Sequence, residues 1–460
     1  MASAPKNIEV PFAIQEGDAG ATQNSRETLI NMYAEVTTSG IAKIIRRQRP
    51  GLTSVYTLAG EKRCIEKHKS NHYLVAGSTL YKFDGTTLTT LGMLSSQTGR
   101  CTMIFNDNDQ IMVSDGAVAY YWNGTILQTV TLPVGVTCGN LAYLGGYGIF
   151  NQPGTGVFWI TAVNDFSTVD ALDFATAESS PDNLVTVFTN HNELWLAGTG
   201  TTEIWQLSGG TDFPFTPYSN AQIERGCSAA LSYGSEDNTL FFLGEDRIAY
   251  RADGYRPMRV SNVAVEKAIA AVSASGLSMT YCHLYTWRGN KFLTLTFGSE
   301  LTLQYNIGTG LWNRAKTFGY DYWNVIGSAG HKSDYLLTPS GISQLAQVNK
   351  DEGSTLYRGG ISAPGYASGK SLTISEFYLD AEVGRAAQGV TPQVMLRCAL
   401  DGETFGNERV RTMGTTGAYS NRAVWRGLGQ GRKPVLSVGV TDDFEFTITS
   451  ARATVSVATR

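Results

Sequence analysis

The chain has 460 residues, a formal net charge of −4, 17% charged and 11% aromatic residues, 50 glycines and 13 prolines. That balance excludes a disordered linker, a collagen-like repeat and a globally basic nucleic-acid binder. No run approaches 18 apolar residues and the opening MASAPKNIEVPF lacks a charged segment followed by an apolar one, so neither a membrane span nor a secretory leader is expected, and folding in a cytoplasm is.

Residues 1–60 read as an N-terminal arm. It carries one strand over 29–36 (LINMYAEV) and a second over 43–49 (KIIRRQR), stopped by Pro50 and Gly51. Lys43, Arg46, Arg47 and Arg49 are the dense basic cluster of the chain. Such a run is either a solvated or acid-paired strand edge or a contact for a partner, nucleic acid included.

Residues 61–348 repeat. Apolar runs recur at Leu74, Met112, Ile149, Trp195, Phe241, Leu293 and Leu336, spaced 37 to 52 residues apart, around the length of a four-stranded propeller blade. A second, aromatic strand follows most of them: Tyr81 and Phe83, 120–122, Phe158 and Trp159, Trp205, Tyr250, Tyr305. Several of these end in Asp84-Gly85, Asn123-Gly124 or Asp253-Gly254, residues that tolerate positive φ in tight turns. The unit around Leu336 is the weakest, so the reading is a β-propeller of six or seven blades. Cys64, Cys101, Cys138, Cys227 and Cys282 precede their anchors by 10 to 14 residues, which places them as small apolar side chains on an early, inner strand. A helix is expected within 261–276, with Asn262 as N-cap and Val265, Ile269 and Val272 on one face.

The blade pattern stops near Asn349. Gly359-Gly360 and SAPGYASGKS (362–371) read as a flexible junction. Alternating runs over 372–383, 394–400, 423–425, 435–440 and 444–457 then predict a C-terminal β-sandwich, giving domains at 1–60, 61–348 and 349–460 in an all-β chain.

Chemistry is sparse. Cys64, His68 and His72 lie at four-residue intervals, each about 13 Å along a strand, so only a hairpin at 69–71 would gather them around a metal. His191, His283 and His331 have no nucleophile motif beside them, and no phosphate-binding or dinucleotide fingerprint occurs. Glu178, Glu203, Glu224 and Glu245 are the carboxylates that a propeller glycan-binding or glycan-cleaving module would need to converge, and nothing in their spacing makes them do so. No catalytic, cofactor-binding or metal residues are therefore expected.

ESSPDN (178–183), ELWLAG (193–198), TEIW (202–205), DFPF (212–215), ERGC (224–227) and DGYRPMRVSN (253–262) resemble the packaged-DNA stabilisation proteins of short-tailed bacteriophages, the tail hub or nozzle family. LINMYAE, RPGL (49–52) and VWRGLGQGRKPVLSVGV (424–440) fit the same family, so the resemblance spans most of the chain. It implies a non-enzymatic virion tail protein, made and assembled in the host cytoplasm. The expected assembly is a hexameric ring below the portal adaptor that continues the DNA channel, retains packaged DNA and docks tail fibre, spike or needle proteins. Duplex DNA would pass through the lumen without sequence-specific binding. Duplex DNA carries a phosphate about every 1.7 Å, and four basic residues per subunit facing it would set about two dozen contacts against ejection. Lys43, Arg46, Arg47 and Arg49 are therefore expected to face a protein partner, with a neutral to acidic lumen.

Overall fold

The computed structural model describes residues 4–17, 27–37, 44–177, 182–210, 213–330, 333–365 and 369–458. It is a β-propeller joined to a β-sandwich. Among the described residues the propeller has seven four-stranded units. Blades one to six occupy residues 62–93, 102–129, 141–176, 184–223, 233–259 and 280–314, each an antiparallel meander from the axis outward. Every one of the seven anchor residues falls on the second strand of its blade and is buried. The aromatic runs form the third strands. The turns behave as their residues dictate: Gly85 and Gly124 have φ of 102° and 97°, and the Asp84 and Asn123 side chains accept from backbone amides two and three residues on.

The weak seventh unit is weak for a reason. Its inner strand is only Gly327–Ser328, followed by Tyr335–Thr338 and Gly341–Ala346, and its outer strand is Gly51–Thr57 from the other end of the chain. Closing the ring with an N-terminal strand ties first and last blades together. Ile65, Leu74 and Phe83 of blade one pack on Leu337 and Ile342 of blade seven, and the His72 and Ser333 side chains hydrogen-bond at 2.8 Å.

The other N-terminal strands among the described residues build the sandwich rather than an arm. One sheet runs Met32–Val36, Ile44–Gln48, Thr447–Val457, Leu372–Ala381, Ala423–Gly431, with Lys6–Glu9 also paired to Thr447–Val457. The facing sheet runs Thr28–Ile30, Arg358–Ile361, Val435–Val440, Gln393–Ala399, Arg409–Thr412. Between them lies one core in which Phe12, Leu29 and Met32 meet Phe377, Trp425 and Val438. Thr28–Ile30 also pairs in parallel with Leu311–Arg314, the outer strand of blade six, so a nine-stranded sheet runs from propeller into sandwich.

Two local expectations change. The run 29–36 is interrupted at Asn31 (φ 55°), which lets its halves join different sheets. Gly359 and Gly360 are a buried strand instead of a flexible junction. A Cβ at 359 would lie 2.5 Å from the Val438 carbonyl, and one at 360 would lie 3.1 Å from Leu29 Cδ2, so glycine serves close packing here. The expected helix forms as α1 (Val263–Ala270), with the Asn262 side chain accepting from the Val265 amide and Val265 and Ile269 buried against blades five and six. A short second helix, α2 (Ala274–Ser278), follows it.

Candidate functional site

The basic cluster sits where propeller and sandwich meet. Arg49 is 1% exposed and spent within the chain. It holds Asp351 through both guanidinium nitrogens at 3.0 and 2.5 Å, donates to Asn31 Oδ1 at 2.9 Å and lies 4.6 Å over the Trp323 ring. Asn31 completes this knot by donating to the Lys316 and Tyr357 carbonyls and accepting the Lys316 amide. Arg358, also fully buried, donates to the Asn349 and Asp442 carbonyls, and burial lowers its pKa to about 10, which still leaves it charged at neutral pH. Arg46 donates to the Ala13 and Phe12 carbonyls, and Arg47, half-buried, pairs with Glu35 of the adjacent strand at 2.5 Å. Lys43 lies outside the described residues. The run is therefore two kinds of residue: Arg49 locks the chain to itself, and Arg46 and Arg47 lie half-buried on a strand that is paired on both sides.

The other candidates do not converge. Glu203 is buried in blade four and accepts the Trp205 indole N–H at 3.1 Å, whereas Glu224 and Glu245 are exposed in loops, Glu245 accepting the Gly226 amide. Glu178 and His331 lie outside the described residues. A hairpin does form at 69–70, yet it sends its histidines apart: His68 to Asp109 of blade two at 2.9 Å, His72 to blade seven. All six cysteines are free thiols. Cys64 and Cys282 lie on inner strands; Cys101, Cys138 and Cys227 lie in the approaches to theirs, where burial raises the Cys138 thiol to about 12.

The seven inner strands surround an axial cavity in two parts. An inner chamber of about 190 Å³ takes residues from six blades, among them Arg63, Glu66, Tyr233 and Cys282. An outer chamber of about 340 Å³ is walled by Asn140, Asn151, Val185, Met279 and the backbone of Gly139 and Gly154. Arg100, Leu231 and Tyr281 line both, so Arg100 stands at the waist. Its guanidinium stacks 3.8 Å over the Tyr281 ring and donates to the Ile326 carbonyl at 2.5 Å, linking blades two, six and seven. Solvent reaches Glu66 along the axis, but protein surrounds it, and this burial raises its carboxyl to about 8. Sequence reading passed over Arg63 and Arg100. The signal was present as the dipeptides Arg63-Cys64 and Arg100-Cys101, which recur at the same place in successive blades.

Comparison with known proteins agrees with this architecture. The family described as bacteriophage P22 Gp10, beta-propeller, matches residues 10–348, and its companion, bacteriophage P22 Gp10, beta-sandwich, matches residues 364–456. The tail hub protein gp10 of Salmonella phage P22 is 21% identical over 422 residues, 84% of this chain and 86% of the relative. Among solved structures, the N-terminal domain of Nup159 aligns at 11% identity and a TM-score of 0.43, over 69% of this chain and 97% of that one. PorZ of Porphyromonas gingivalis aligns at 12% and 0.39, over 68% of this chain and 44% of that one.

Proposed function

The chain belongs to the bacteriophage P22 Gp10 tail-hub family, and from that premise we propose that it forms a hexameric ring below the portal adaptor. It is a structural protein of the virion tail. In this reading the ring continues the DNA channel, retains the packaged genome and docks fibre, spike or needle proteins. The observation that carries it is that the family match extends over both bodies of the molecule, 10–348 and 364–456, so both domains are shared with that family and not a propeller alone.

Physical features support a load-transmitting ring subunit. A propeller closed by its own N-terminal strand exposes no blade to unzipping, and the nine-stranded sheet joins propeller to sandwich. Arg49 is out of reach of DNA, and the Arg46 donors are aimed at backbone carbonyls, which fits a channel with few phosphate contacts. The strand face with Arg46 and Arg47 remains the place proposed for a protein partner.

Electron microscopy of the assembled tail tests the ring: sixfold density of this chain beneath the adaptor is expected, and its absence there refutes the proposal. Particles produced without the chain should package DNA and then lose it. Full retention of DNA in such particles would remove the retention role while leaving tail membership intact.

A further inference from the structure

We propose that the axial cavity of the propeller is a receptor for a carboxylate carried on an extended, otherwise neutral peptide segment of a neighbouring protein, with Arg100 as the anchoring cation and the outer chamber as the entry.

Arg100 is a half-buried cation with no carboxylate partner among the described residues. Its ring stacking on Tyr281 and its bond to the Ile326 carbonyl fix the guanidinium plane and leave charge uncompensated at the waist of a cavity. A planar guanidinium held in a partly dry site, its orientation already set, is suited to receiving a carboxylate. Glu66, the carboxylate that lines the inner chamber, makes no ion pair with it. The second cation, Arg63, is committed: its donors are taken by the carbonyls of Gly77, Ser96 and Gly99 and the Ser96 hydroxyl.

One available cation matches one negative charge. A phosphate group, with close to two charges at neutral pH, would need the second cation that Arg63 does not offer. The outer chamber points the same way. Gly139 and Asn151 are bonded to each other and to the wall, which leaves the exposed backbone of Gly154 and the Asn140 side-chain oxygen to hydrogen-bond a neutral main chain, and Leu184, Val185 and Met279 (65% exposed) offer apolar contact. The site lies within a single chain, so its failure would leave the ring proposal standing, and failure of the ring would leave the site standing.

The test uses the full chain with N-acetylglycine as a carboxylate on a peptide unit, and inorganic phosphate and N-acetylglycine amide as controls. N-acetylglycine should bind with a Kd in about the millimolar range, and R100Q should weaken it at least about tenfold. Because R100Q removes a contact between blades, a second measurement needs no variant. Phenylglyoxal labelling of Arg100 in the wild-type chain, read by mass spectrometry, should slow when N-acetylglycine is present and not when its amide is. Equal binding by R100Q, absence of protection, or equal protection by the amide would each overturn the proposal. Phosphate binding more tightly than N-acetylglycine would overturn the assignment to a carboxylate.

Discussion

The propeller and the sandwich are built from similar strands but by opposite rules of connection. Each of the first six blades closes within its own stretch of chain, and the propeller's apolar interior is divided into separate seams between adjacent blades, the one between blades six and seven also taking in Tyr33 of the sandwich. The sandwich has one undivided core, and its strands come from both ends of the chain: Ile8 pairs with Ala453, Arg47 with Thr447 and Ile30 with Gly359. Local closure costs little chain entropy, whereas joining the two ends costs more and must be recovered from a larger core. The lesson is that damage to a blade should stay near its seam, while damage to the sandwich or its junction should spread.

Removing residues 1–48 should break the contrast most severely. It deletes four sandwich strands and the Phe12, Leu29 and Met32 part of the core, so the sandwich should become fully sensitive to protease, while residues 62–314 retain strand signal. Loss of both bodies at once would show that they fold as one unit. At the junction, R49A leaves the Asp351 carboxylate buried without its partner and should cost about 3–5 kcal/mol in chemical denaturation. A cost near that of an exposed ion pair would mean that Asp351 finds water.

Within the propeller, L74A removes a fully buried side chain from the seam between blades one and seven and should cost about 2–5 kcal/mol. Hydrogen exchange should show protection lost in those two blades and retained in blades three to five; uniform loss would argue against separable seams. The smallest expected effects are pH slopes. Burial lowers His283 to about 3, so the stability it contributes is full above its ordinary pKa near 6.5 and is lost as pH falls, at most about 1.4 kcal/mol per pH unit. H283Q should flatten that slope. Glu66 acts in the other direction: the fold holds its proton more tightly than the unfolded chain, so stability falls as pH rises from about 4.3 to about 8. E66Q should therefore gain on wild type at pH 8 relative to pH 5, and parallel curves would place Glu66 in bulk-like water.

The legible parts were those whose causes lie close together in the chain. Leu74, Met112, Ile149, Trp195, Phe241, Leu293 and Leu336 could be aligned because strand alternation, the turn residues after them and the cysteines before them recur within one blade length. Asn262 and the Val265–Ile269 spacing announced α1 for the same reason. Residues that act across the fold were misread or passed over. Asn31 looks like one polar residue inside a strand, and the four hydrogen bonds of its side chain go to residues 49, 316 and 357. Gly359 and Gly360 look like a linker because the Val438 and Leu29 atoms that exclude a side chain are distant in sequence.

The sequence by itself determined that this is an all-β chain of repeated four-stranded units followed by a sandwich, since period-two apolar patterning and turn chemistry are properties of neighbouring residues. Only the tertiary structure decided that Gly51–Thr57 completes the seventh blade, that Arg49 is a buried lock rather than a surface charge, and that Arg100 occupies the axis. Each depends on which distant groups satisfy a backbone edge or a charge, and that pairing exists only once the ring has closed.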